Sequence, residues 1–161
     1  MIGGGASVPV GDLSNFYDAG YNVQGALLIN FGGLPIKLRT DVNYSRLKLK
    51  DFLGTTPSNY SDDAATLLGG MANLSLSLGV GPVRPYLLAG VGAFNVKPAD
   101  TGTSAAESSI EFAINGGAGL QIRLFGIDAF LESRLNNVYT DKGIIDTKGI
   151  QMIPITFGVI F

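Results

Sequence analysis

Apolar and polar residues alternate with a period of two along most of this chain, the spacing that places successive side chains on opposite faces of a β-strand. From Ile127 to Tyr139 one face carries Ile127, Ala129, Leu131, Leu135 and Tyr139, with Ser133 and Asn137 among them, and the other carries Asp128, Glu132, Arg134 and Asn136. Ile110 to Leu124 repeats the pattern: Ile110, Phe112, Ile114, Ala118, Leu120, Ile122 and Leu124 oppose Glu111, Asn115, Gln121 and Arg123. In Ile36 to Tyr44, Ile36, Leu38, Val42 and Tyr44 oppose Lys37, Arg39, Asp41 and Asn43. Tyr21 to Phe31, Ala72 to Leu78 and Gln151 to Phe161 alternate in the same way. Tyr86 to Val96 is apolar on both faces; Leu87, Ala89, Val91 and Ala93 are expected outward, because Gly90 and Gly92 then occupy a crowded interior. Ile2 to Val10 completes a set of eight candidate strands.

The connections alternate in length. Residues 12–19, 50–63, 98–107 and 141–148 are long and polar, whereas 32–35, 79–82 and 125–126 are tight and rich in Gly and Pro. An up-and-down barrel with both termini at one end produces this pattern, with short periplasmic turns and longer external loops. Strands of about 10 residues suit a tilted membrane crossing. Tyr21, Phe31, Tyr44, Phe112, Tyr139 and Phe161 fall near strand ends, where interfacial aromatic girdles belong.

Alternation alone does not say which face is inside. Gly90, Gly92, Gly117, Gly119 and Gly158 share the face that carries the charges. Glycine makes room in a narrow lumen but only weakens a strand that faces water. The chain therefore reads as all-β, an eight-stranded antiparallel up-and-down transmembrane β-barrel forming one domain over residues 1–161.

Composition agrees with an apolar exterior, since 46% of the 161 residues are hydrophobic and 15% charged, against roughly 25% charged in an average soluble domain. No apolar run reaches the roughly 18 residues of a spanning helix, so a membrane reading requires a closed barrel. The chain has no cysteine and no histidine, which excludes disulfides, thiolate metal sites and a Ser-His pair. A net charge of −2 with scattered Lys and Arg leaves no basic patch for nucleic acid. The glycine-rich stretches at residues 3–5, 79–81 and 116–119 lack the Lys-Ser/Thr of a phosphate loop and read as strand glycines. Met1 is followed by neither a basic region nor an apolar core of a signal peptide, so it is read as the start codon of a chain lacking its export signal.

The final strand, Ile153-Pro154-Ile155-Thr156-Phe157-Gly158-Val159-Ile160-Phe161, and the Arg84-Pro85-Tyr86-Leu87-Leu88-Ala89-Gly90-Val91-Gly92 strand carry a resemblance over the whole chain. In these loose patterns it resembles the small eight-stranded outer-membrane β-barrels, the family of the outer membrane protein A transmembrane domain and its porin-like relatives. The resemblance implies that Ile155, Phe157, Val159 and Phe161 form the carboxyl-terminal signal read by the outer-membrane assembly machinery. The chain departs from the family in having no Trp. It also lacks the peptidoglycan-binding domain that some members carry, so wall attachment is not implied. The missing export signal and the aromatic content leave a natural and an engineered member both open.

The expected function is an integral anchor or scaffold of the bacterial outer membrane, monomeric, with the lipid bilayer as its partner, no cofactor and no catalysis. Its lumen is expected to be closed by a charge network of Lys37, Arg39, Asp41, Glu111, Arg123, Asp128, Glu132 and Arg134, because eight strands enclose little more than side chains. Two alternatives stay open: a narrow channel or conduit for small molecules, and a soluble β-barrel that binds a hydrophobic ligand. The acidic loop residues Asp51, Asp62, Asp63, Asp100, Asp141 and Asp146 are read as solvated charges rather than cation ligands, so no metal is expected.

Overall fold

The computed structural model describes residues 1–49, 64–97, 108–139 and 149–161. The three longest connections, and the six acidic loop residues considered above, lie outside the described residues. Eight strands form one closed antiparallel barrel in sequence order: β1 Ile2–Val10, β2 Tyr17–Asn30, β3 Ile36–Leu49, β4 Ala64–Ser77, β5 Val83–Lys97, β6 Ser109–Leu124, β7 Ile127–Tyr139 and β8 Ile150–Ile160. Closure comes from β1 pairing with β8, from Ile2 opposite Val159 to Val10 opposite Gln151. No sheet edge is left to template further pairing.

The tight connections define one end of the barrel, here called the turn end; the opposite end is the loop end. At the turn end, β6 and β7 are joined by Phe125 and Gly126 alone, both at positive φ (50° and 85°). This is the two-residue geometry whose twist matches that of the flanking strands. Between β2 and β3, Leu34 N–H donates to the Phe31 carbonyl at 3.0 Å, with Gly33 at φ 81° in the position that disfavours a side chain. One expectation about the loop end is corrected. Residues 12–19 do not form a long loop: a 3₁₀ turn spans Gly11–Asn15 and β2 begins at Tyr17.

Four strands also run further toward the loop end than the alternation suggested. β2 starts at Tyr17 rather than Tyr21, β3 continues to Leu49 rather than Tyr44, β4 starts at Ala64 rather than Ala72, and β5 reaches Lys97. The face assignments follow the expected parity: Leu87, Ala89, Val91 and Ala93 are exposed while Tyr86, Leu88, Phe94 and Val96 are buried.

Inward glycines face large inward side chains across the strand pairs. Tyr86 lies opposite Gly119, Phe130 opposite Gly158, Phe94 opposite Gly69, and Arg134 opposite Gly117. A Cβ at any of these glycines would collide with that partner's side chain. The glycines therefore determine which bulky residues fill the lumen, and a close-packed interior follows.

Candidate functional site: the filled lumen

The inward residues form distinct levels along the barrel. At the centre, Arg39 and Asp41 of β3 meet Glu132 and Arg134 of β7, all four at most 3% exposed. Within each strand the two residues are two apart, so each pair points into the lumen from one side. Arg39 donates from Nε to Asp41 at 2.6 Å and from Nη1 to Glu132 at 2.6 Å, bridging the barrel. Arg134 donates from Nε to Glu132 at 2.5 Å and from Nη1 to Asp41 at 3.2 Å. Each cation touches both anions, and the four charges sum to zero.

Neutral groups complete this level. Tyr86 O–H donates to Glu132 at 2.6 Å, Arg134 donates to Gln24 Oε1 at 3.0 Å, and Asn73 donates its amide to Asp41. Because most lone pairs and protons are matched, the network meets the condition under which buried charges are tolerated.

A second ionic cluster sits at the turn end. Arg123 and Asp128, directly opposite across the β6–β7 turn, form two bonds of 2.7 and 2.8 Å. Arg84 reaches the same carboxylate at 3.2 Å, as does the Gln121 amide. Of the expected network, the structure thus brings Arg39, Asp41, Glu132 and Arg134 together, and separately Arg123 with Asp128. Lys37 and Glu111 join neither cluster. Lys37 lines a small cavity below the central network. Glu111, third residue of β6, lies toward the loop end with its strand neighbour Phe94.

Sequence reasoning missed Gln24, Asn73, Arg84 and Tyr86 as members. Parity places all four inward, and Tyr86 shares a face with Gly90 and Gly92, so the signal was present. Gln24, Asn73 and Tyr86 were passed over because uncharged amides and a phenol do not announce an ion network, and Arg84 because it stands at the start of a strand that is otherwise apolar on both faces.

Above the central network the lumen is first polar, with Ser7, Asn22, Ser45, Asn115 and Asn136 buried, and then turns apolar toward the loop end. Leu47, Leu67, Met71, Phe94, Val96, Ala113, Val138 and Met152 form one buried cluster, with Leu13, Tyr17 and Ile150 packed on it. Here the polarity of the wall inverts. On β3, the outward residues run Ile36, Leu38, Thr40, Val42, Tyr44 and then Arg46, Lys48, while the inward ones run Lys37, Arg39, Asp41, Asn43, Ser45 and then Leu47. β5 does the same: Leu87, Ala89, Val91 and Ala93 give way outside to Asn95 and Lys97, and Gly90 and Gly92 give way inside to Phe94 and Val96.

The outer surface below the inversion is an apolar band. It includes Leu27, Ile29, Val42, Leu74, Leu131, Leu135, Ile155 and Phe157, all exposed. Toward the loop end the band is edged by Tyr21 beside Tyr44 and Phe112 beside Tyr139, ring centroids 6.1 Å apart in both pairs. Phe31, Phe125 and Phe161 stand exposed at the turn end. From Tyr21 to Phe31 a strand tilted by about 40° rises about 26 Å, close to the roughly 25 Å apolar band of outer-membrane barrels.

These features define an eight-stranded barrel with an apolar exterior and an ion-paired interior, the fold of the small outer-membrane barrels that the sequence resembles. The fold is similar to the crystal structure of Neisserial surface protein A (NspA), with a TM-score of 0.65 and 17% sequence identity, covering 98% of this chain and 92% of that one. No protein-family model matches the chain, and no curated protein matches it in sequence.

Proposed function

We propose that this protein is an integral outer-membrane barrel that serves as an anchor or scaffold, with a lumen closed by side chains and no catalytic role. The carrying observation is the inversion of wall polarity. A soluble barrel keeps its apolar face inward along the whole strand. Here the outer face is polar only toward the loop end and apolar over the stretch whose height matches a bilayer, where the ionic network shares the interior with a smaller apolar cluster of Met1, Ala26 and Phe130. The loop end then stands in water with its own apolar core, and the band below it meets lipid. The bilayer is the principal partner. Ile155, Phe157, Val159 and Phe161, all outward on or just after β8, are available to assembly machinery as the terminal signal.

The reading of a closed lumen over a narrow channel rests on two consecutive obstructions, the neutral network of Arg39, Asp41, Glu132 and Arg134 and the apolar cluster around Phe94 and Leu67. An ion passing both would have to break the first and shed its water in the second. The unmodified protein is expected to show no steady conductance in planar bilayers. A stable, reproducible open channel would overturn the closed-lumen reading and promote a conduit.

A further inference from the structure

The turn end of the lumen holds more positive charge than its partners cancel. The central network is neutral. Below it, Arg84 and Arg123 share the single carboxylate of Asp128, which leaves that cluster with one net positive charge. Lys37 adds another, and no ion pair joins its ammonium to an acidic group among the described residues.

Lys37 also faces a built space. A cavity of about 20 Å³ lies between the central network and the turn end, lined by Lys37, Arg39, Ser75, Ser77, Tyr86 and Gln121 among others. That volume suits one water-sized or monatomic occupant, since about one probe sphere is the minimum for a water. Ser75 lies directly opposite Lys37 on β4, and Ser77 is two residues further along the same inward face. Tyr86 O–H and the Gln121 amide are already committed to Glu132 and Asp128. The polar side-chain groups left to meet an occupant are the Lys37 ammonium, two hydroxyls and the Gln121 carbonyl oxygen, between apolar walls of Met1, Leu28 and Ile160, and the ammonium tips this set toward an anion. No acidic side chain lines the cavity to oppose one.

We propose that this cavity is a binding site for a single halide-sized anion, chloride in the natural setting, held by Lys37 with the hydroxyls of Ser75 and Ser77. The anion pairs with a half-buried lysine that has no acidic partner among the described residues. The competing fate is a Lys37 chain that extends past the turns to put its ammonium in bulk water. This inference goes beyond the scaffold reading: it depends on the barrel interior and not on lipid insertion or on whether the lumen conducts.

The test uses the full chain folded in zwitterionic detergent. Crystals soaked in sodium bromide are expected to show an anomalous bromide peak within hydrogen-bond distance of Lys37 Nζ and at least one of the two serine hydroxyls. In solution, bromide resonance broadening is expected to saturate, to be displaced by chloride, and to fall to the level of protein-free detergent in Lys37→Met. Lys37 belongs to neither ionic cluster, so that variant should retain the wild-type circular dichroism spectrum. A cavity without bromide, an ammonium extended into bulk solvent, or broadening undiminished in a folded Lys37→Met overturns the proposal.

Discussion

Replacing Arg134 by methionine should destabilise the barrel by about 3 to 5 kcal/mol, because it leaves buried carboxylates short of a counter-charge. Arg134 contacts both Glu132 and Asp41, so its loss gives the central level a net charge of −1 with Arg39 as its remaining cation. Methionine fills much of the same volume, which separates the charge effect from a cavity effect. Removing Glu132 as well, as Arg134→Met with Glu132→Gln, leaves the neutral Arg39–Asp41 pair at 2.6 Å and a glutamine able to meet Tyr86. The double variant should therefore be more stable than Arg134→Met alone. Urea unfolding in lipid vesicles, analysed as a double-mutant cycle, measures the difference. If the double change costs as much as the two single changes added together, the four residues do not act as a network.

The second large effect concerns the outer surface. Ile155 lies midway along β8 and points outward, opposite Ala6 on one side and Ser133 on the other. Ile155→Arg should cost about 2 to 4 kcal/mol, the penalty for a cation near the bilayer midplane. Leu76 also points outward, but it is the penultimate residue of β4 and lies at the turn-end margin of the band. Leu76→Arg should cost only about 0 to 1 kcal/mol, because the arginine reaches the interface. The contrast between these positions is the informative quantity. Equal costs in vesicles would mean that the band does not follow membrane depth.

Much of the barrel was legible because its strands obey one rule over a long distance. Parity alone put Lys37, Arg39 and Asp41 on one face of β3 and Glu132 and Arg134 on the same kind of face of β7. The pairing of Arg123 with Asp128 followed from the two-residue turn between them. What parity does not carry is strand order around a closed cylinder combined with depth. Arg39 meets Glu132 across the lumen, 93 positions away in the chain, and no local pattern announces that encounter. Glu111 has the parity of a network member but lies too far toward the loop end to join it.

The loop-end extensions were hidden for a related reason. Their alternation continues with the opposite polarity, as in Arg46 and Lys48 outside against Leu47 inside. An interpretation that follows one apolar face from end to end stops at Tyr44, where the apolar residues change from the outer to the inner face. The same inversion conceals the apolar cluster of Leu47, Leu67, Phe94 and Val96, which reads as membrane-facing until the strand is followed past the girdle. Tyr86 and Asn73 were hidden differently: each pairs with a glycine, Gly119 and Gly90, and the space those glycines leave emerges only once the strands are in register.

The central claim, a barrel whose apolar band lies in lipid, is tested most directly by refolding the urea-unfolded chain with and without lipid vesicles. With vesicles, a β-rich circular dichroism spectrum and a gel mobility that shifts on heating are expected; without lipid or detergent, the chain should aggregate. A soluble, folded monomer in plain buffer would contradict the account and leave the soluble ligand-binding barrel in its place.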